Sequence, residues 1–354
     1  DALILLGDIY FQESNYKLSF DYYQTALNKG YQNKEKYSLA KNKYLEKQFK
    51  KGEFEYFIKD FEKSYKTFFQ LIEFDSSYIK AHREFVKIGV LLNKINELEK
   101  YYEQKIKDNP TNSAFYYGYA LLITYKNDFN YKTALSYLNK ALKYTNNNPF
   151  IYMLKGWLYE QAEMVFNEVS KLEDAIANYK IALNLLEKND IKTKSELFLN
   201  IGNAYYYLKN YEFAFRFFSA RLDLLNLLPL EYFDSEREAI FYERIANSTY
   251  YLGYSEKAEP FLHKAIELIK SDDKKIELLQ RLSLIYYTMN KYEDTLKTYD
   301  LVINKELKKA NDLRKHYLLR NKLFFYVNYF SEKNNETKIE QYKNKKNLIK
   351  LYEE

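Results

Sequence analysis

The chain has 354 residues, a formal net charge of +6 and no cysteine, which excludes disulfides, thiolate chemistry and cysteine metal sites. Glycine (8) and proline (4) are few, strand-type alternation is scarce, and Leu, Lys, Glu, Asn and Tyr dominate, a helical composition. The charge is local: Asn28–Lys51 holds Lys29, Lys34, Lys36, Lys41, Lys43, Lys47, Lys50 and Lys51 against only Glu35 and Glu46, so the remainder is neutral overall. A nucleic-acid reader carries its basic face along much of its length, so that class is disfavoured.

Leu3–Glu13 and Asn15–Asn28 read as a first helical pair turning at Asn15-Tyr16, with Gly7 followed by Ser19, Tyr23 and Ala26 at steps of 12, 16 and 19. The stretch Lys34–Phe74 is apolar and charged by turns; it reads as helical with a break near Gly52, and the steps cannot be placed in it. Ser77–Leu92 and Asn96–Lys107 form a divergent pair with Gly89 as its close-packing residue. Asp108-Asn109-Pro110 ends that pair, because the residue before a proline disfavours helix.

Gly118 opens the next pair, and Ala134, Leu138 and Ala141 follow it at 16, 20 and 23, so the hairpin turn has gained four residues. Pro149 starts another, where Ala175, Tyr179 and Ala182 lie 19, 23 and 26 beyond Gly156, a gain of seven that longer helices would absorb. Further pairs centre on Gly202, Ala246 and Ser283, with an extended helix end and loop over Asn226–Asp234. A terminal helix at Lys305–Tyr329, a polar break at Ser331–Glu336 and a last short helix complete the chain.

Three copies are regular. Phe198, Ile201-Gly202, Tyr205, Ala214 and Phe218 form one; Tyr242, Ile245-Ala246, Ala258, Leu262 and Ala265 the next; Leu279, Leu282-Ser283, Tyr286, Thr295 and Tyr299 the third. This pattern resembles the tetratricopeptide repeat family over about two thirds of the chain, with Pro110 and Pro149 between repeats as that family often has them. The resemblance implies an all-α fold, an α-solenoid of antiparallel helix pairs wound as a right-handed superhelix, here with irregular repeats. Lys155, Arg221 and Thr249 depart from the motif. The expected organisation is N-terminal helical pairs over 1–75, the first repeat-like and the second divergent; a repeat array over 76–304; and capping helices over 305–354.

The three histidines, His82, His263 and His316, are far apart and lack metal-ligand spacing, each reading as a surface or groove residue. Phosphate-cradling glycine loops and serine-nucleophile signatures are missing, and carboxylates alternate with lysines as on a solvated helix surface. No catalytic residue, metal or cofactor is therefore expected, and the chain reads as non-enzymatic. Asn247-Ser248-Thr249 and Asn335-Glu336-Thr337 match the glycosylation pattern by chance in so Asn-rich a chain.

The resemblance implies a ligand face on the concave side, lined by first helices. It selects Trp157, Gln161, Asn203, Tyr206, Tyr207, Asn247, Tyr250, Tyr251 and Tyr287, with Leu284 beside the last. Asn203 and Asn247 occupy equivalent places and resemble the Asn side chains with which that family clamps peptide backbones. Trp157, Tyr206, Tyr250 and Tyr287 would form an aromatic ladder. The leading expectation is a protein–protein interaction scaffold in a larger assembly, such as a bacterial envelope or motility complex; the alternative is a peptide-binding, chaperone-like or regulatory receptor. The start at Asp1 without Met reads as an excised fragment, so compartment stays open, with periplasm or envelope favoured over cytoplasm, and oligomeric state is undetermined.

Overall fold

A computed structural model describes residues 2–32, 34–167, 171–229, 232–306 and 312–333. The described residues form seventeen helices: α1 (Ala2–Gln12), α2 (Tyr16–Asn28), α3 (Glu35–Phe57), α4 (Phe61–Phe74), α5 (Ile79–Leu91), α6 (Ile95–Asp108), α7 (Ser113–Ile123), α8 (Tyr131–Leu142), α9 (Pro149–Met164), α10 (Lys171–Leu185), α11 (Ile191–Tyr207), α12 (Tyr211–Leu225), α13 (Ser235–Tyr251), α14 (Ser255–Leu268), α15 (Asp272–Thr288), α16 (Tyr292–Glu306) and α17 (Asp312–Glu332). No strand occurs among the described residues. The chain divides into two compact units, Asp1–Leu185 and Leu186–Glu354. In each, consecutive helices pack as antiparallel hairpins and each hairpin packs on the next, which is an all-α solenoid architecture.

The hairpins repeat one local design. Six of them turn in three residues, and the middle residue has positive φ in every case: Ser14, Lys59, Asn93, Lys209, Gly253 and Asn290. The abundant Asn residues find a structural use here. Asn15, Asn112, Asn130, Asn148 and Asn210 each cap a helix, their side-chain oxygens accepting from backbone N–H groups of the first turn. Pro149 sits at the first turn of α9, where a missing N–H costs nothing.

Between the two helices of a hairpin, an aromatic ring lies on a bare glycine. A Cβ on Gly202 would stand 2.5 Å from the Phe218 ring, and one on Gly156 would stand 2.6 Å from Tyr179. Gly7 and Tyr23 meet in the same way, and the Ser19 hydroxyl donates to the Gly7 carbonyl at 2.8 Å. In the glycine copies the repeat steps thus encode a helix approach too close for a Cβ, while Ala246 and Ser283 fill the same place with small side chains.

Several expectations need correction. The chain does not break near Gly52: α3 runs through it, and the turn comes at 58–60. Gly52 is itself a packing glycine: a Cβ on it would stand 2.7 Å from the Phe68 ring, and the Ser64 hydroxyl donates to its carbonyl at 2.7 Å. Ser64, Phe68 and Leu71 stand 12, 16 and 19 residues beyond it, so Lys34–Phe74 holds a repeat in ordinary register. The break expected from Ser331 does not begin there, since α17 continues to Glu332; the remainder of that break, the last short helix and Asn335 lie outside the described residues.

The two long hairpins behave differently. α7 and α8 are joined by seven residues rather than three, the four-residue gain expected, but Gly118 faces Tyr102 of the preceding helix α6. α7 is buried on every side from Ala114 to Ile123, which is why its sequence is apolar all round. At Gly156 the extra residues are shared between α9, which continues to Met164, and a longer link. The two inserted links meet: Phe129 lies 6.0 Å from both Trp157 and Phe166, and Tyr131 lies 5.2 Å from Phe166.

One large core fills unit 1, running from Leu45 to Ala162. Unit 2 holds three smaller clusters. There Arg221, the misfit at a small-residue position, is buried and pairs bidentately with Glu238 of the next hairpin at 2.5 and 2.9 Å while lying 4.2 Å over the Phe241 ring. The departure from the motif is therefore an inter-hairpin link between α12 and α13.

Candidate functional site

The residues singled out from the sequence fall into two groups. Trp157 and Gln161 belong to α9 in unit 1; the other seven belong to α11, α13 and α15 in unit 2. Trp157 is half-buried against the unit 1 core and the Phe129 ring. Tyr287 packs among Tyr292, Phe324 and Phe325, so its ring is engaged with α16 and α17.

Five of the seven converge on one patch of unit 2. Helical periodicity puts Tyr206 and Tyr207 at the end of α11 and Asn247, Tyr250 and Tyr251 on the matching turns of α13, which packs beside it. The Asn247 amide donates to the Tyr206 hydroxyl at 3.1 Å. Tyr251 is 57% exposed and stacks on Tyr211, ring centroids 4.5 Å apart and 20° from parallel. Burial and the neighbouring rings of Tyr251 and Tyr206 raise the pKa of the Tyr211 hydroxyl.

Sequence reasoning missed Arg244. It donates to the Tyr207 hydroxyl, and its guanidinium lies 5.0 Å from the Tyr207 ring and 6.0 Å from Tyr206. The available signal was its place two residues before the packing Ala246, on the turn below Asn247. The two asparagines are not alike in the fold. Asn247 is buried with its amide spent on Tyr206, whereas the buried Asn203 Oδ1 has no hydrogen-bond partner.

Glu243 lies one turn before Asn247, buried between Lys274 at 3.4 Å and Arg281 at 3.3 Å from α15. In α15, one residue before Arg281, the buried Gln280 Nε2 also lacks a partner. The chemistry on offer is therefore planar rings, hydroxyls, amides and one guanidinium held by tyrosines. Such a set offers ring faces for stacking and polar atoms for hydrogen bonds.

His82 was expected at a surface or groove and is instead fully buried in unit 1, Nδ1 3.0 Å from the Tyr102 hydroxyl and Nε2 3.0 Å from the Ser76 carbonyl. Those partners and the apolar packing around them explain why it needs no solvent. His263 is exposed beside Tyr286, and the His316 side chain lies outside the described residues. Among the described residues no group of three or more His, Asp or Glu could hold a metal ion, and no helix is long and apolar enough to cross a membrane.

The fold and this face define a tetratricopeptide-like helical-hairpin repeat protein with a polar, aromatic surface on its first helices. No protein-family profile and no curated protein matches the sequence. Solved structures similar to it include YrrB, a tetratricopeptide protein with an unusual peptide-binding site (17% identity, 57% of this chain and 91% of that one, TM-score 0.46). PilW, a type IV pilus biogenesis factor, shares 12% identity over 67% of this chain and 96% of its own, TM-score 0.47. The C-terminal part of a repeat protein from Cytophaga hutchinsonii shares 17% over 75% and 96%, TM-score 0.45. These likenesses are distant, and the argument for the fold rests on the hairpins themselves.

Proposed function

We propose that the chain is a non-enzymatic protein–protein interaction scaffold working within a larger assembly. The observation that carries this is the α11/α13 patch, where Tyr206, Tyr207, Arg244, Asn247 and Tyr251 lie side by side with Tyr251 largely exposed. Rigid aromatic rings beside a guanidinium are the side chains from which binding hot spots are most often built. The test is photo-crosslinking in native cells with benzoylphenylalanine at position 251 or 207. Protein adducts at both positions support the proposal; adducts that form at other surface positions while 251 and 207 stay bare remove this face from it.

A second reading, a peptide receptor, is favoured by the unpartnered Asn203 oxygen. It predicts that Trp157→Ala or Asn203→Ala weakens one ligand specifically, whereas a scaffold with broad contacts tolerates either change. We assign the assembly to a bacterial envelope or motility complex on analogy with other irregular arrays alone. Fractionation of native cells tests this, since recovery wholly in the cytosol would discard the assignment.

A further inference from the structure

We infer that the Tyr211–Tyr251 pair is a site of oxidative cross-linking, where a peroxide-driven one-electron oxidant joins the two rings into a dityrosine that staples α12 to α13. The two residues stand forty positions apart, Tyr211 opening α12 and Tyr251 closing α13. Their rings lie face to face, centroids 4.5 Å apart and 20° from parallel. Tyr211 is half-buried and Tyr251 is 57% exposed, so an oxidant reaches the second ring while the first is held beside it. Holding two reactants in contact replaces a chance encounter with a local one, which favours coupling within the chain over coupling between chains. Cysteine, whose thiolate is the usual target of peroxide, is absent from the sequence.

The rings around the pair gather the oxidation toward it. Tyr207, Tyr206, Tyr211, Tyr251 and Tyr250 form one line of ring contacts, with successive centroids 6.1, 5.8, 4.5 and 5.7 Å apart. An electron lost at one ring can be replaced from its neighbour, and the Arg244 guanidinium over Tyr207 and Tyr206 opposes positive charge at that end. At the stacked pair each phenol gives up one electron and its hydroxyl proton, leaving two phenoxyl radicals. The exposed Tyr251 ring can turn about its side-chain bonds, which brings a carbon ortho to each oxygen together. A C–C bond forms between those carbons, and the hydrogen on each then moves to its own oxygen, restoring two phenols. Two electrons and two protons have left, and hydrogen peroxide takes them up as its O–O bond breaks to give two waters. Other tyrosine pairs are less well placed. Tyr10 and Tyr22 stack at 5.4 Å, and Tyr116 and Tyr144 at 6.0 Å. Tyr119 and Tyr137 meet at 4.7 Å but edge to face at 80°, and Tyr119 is buried with its hydroxyl donating to Glu103 at 3.1 Å.

The test exposes the dilute full chain to hydrogen peroxide and a haem peroxidase, then digests it with trypsin and maps linked peptides by mass spectrometry. The expected product migrates as a single chain and links residues 210–216 to 245–257, with fragmentation placing the bond at Tyr211 and Tyr251. Its yield should exceed that of any other tyrosine link by about tenfold. It should fall to background in Tyr211→Phe and in Tyr251→Phe, both checked for helicity by circular dichroism. A bond that closes a long loop narrows the unfolded ensemble, so the linked natural chain should unfold at a higher urea concentration, a gain missing from treated Tyr251→Phe. Links that fall mainly on Tyr119–Tyr137, on Tyr10–Tyr22 or between chains would overturn the site, as would a treated chain without any tyrosine link. An unchanged urea midpoint in the linked chain would overturn the staple.

Discussion

At the scale of single residues, the bare glycines under aromatic rings are the positions with least tolerance. Gly202→Ala would press a methyl group into the Phe218 ring. Overpacking of this kind costs about 1–3 kcal/mol, read as a lower urea midpoint, and Gly202→Ala with Phe218→Leu should recover part of it. A second residue carries a pH signature. Burial holds the His82 pKa at about 4, against 6.5 for a free side chain, despite the Ser76 carbonyl and Asp75 that favour its charged form. The folded state therefore binds the proton less well than the unfolded one. Stability is fully present above pH 6.5 and falls as the pH drops from 6.5 toward 4, by roughly 2 kcal/mol at pH 5. Urea midpoints at pH 7 and pH 5 should differ by correspondingly less in His82→Gln than in the natural chain; an unchanged difference would assign the acid sensitivity elsewhere.

At the scale of helices, the buried Arg221–Glu238 pair joins α12 to α13 at a position where the repeat otherwise places a small side chain. Removing one member strands the other charge in the core. Arg221→Ala should therefore cost about 3–5 kcal/mol, whereas Arg221→Met combined with Glu238→Leu should cost far less, a contrast that a double-mutant cycle measures directly. Helices are also where the legibility of the sequence is best judged. Gly7, Gly156 and Gly202 were readable because their steps end on aromatics that seat on the glycine. The copy at Gly52 was not, since Lys50, Lys51, Glu53 and Glu55 surround the glycine and made it look like a helix break. In the fold Glu55 turns inward and accepts from the Thr67 hydroxyl at 2.6 Å, a long-range contact with no local signal. Tyr206, Asn247 and Tyr251 were legible as a face by periodicity. The unequal fates of Asn203 and Asn247, and the seat of Arg244, depend on side chains from the neighbouring helix that no spacing reveals.

At the scale of the whole molecule, the basic stretch that gives the chain its net charge is largely occupied. Lys36 reaches Asp8 at 2.7 Å and Lys41 reaches Asp75 at 2.8 Å. Lys50 pairs with Glu46 at 3.2 Å, and Lys47 donates to the Ser14 carbonyl at 3.1 Å. Neutralising Lys43, Lys47 and Lys50 to Gln should leave elution from heparin at low salt unchanged; markedly earlier elution would revive a polyanion-binding role. The packing of Trp157 against Phe129 of the first inserted link carries one more consequence. That indole is the sole tryptophan among 354 residues, while 40 tyrosines are spread over the chain. Light absorbed at 295 nm is thus emitted from one address in unit 1, and light absorbed at 275 nm is gathered from the whole chain. Unfolding followed at the two wavelengths should give a tryptophan curve that reports the surroundings of this one ring, Phe129 among them. Phe129→Ala should shift that curve while leaving the spectroscopic record of unit 2 where it was: the chain carries its own site-specific dye.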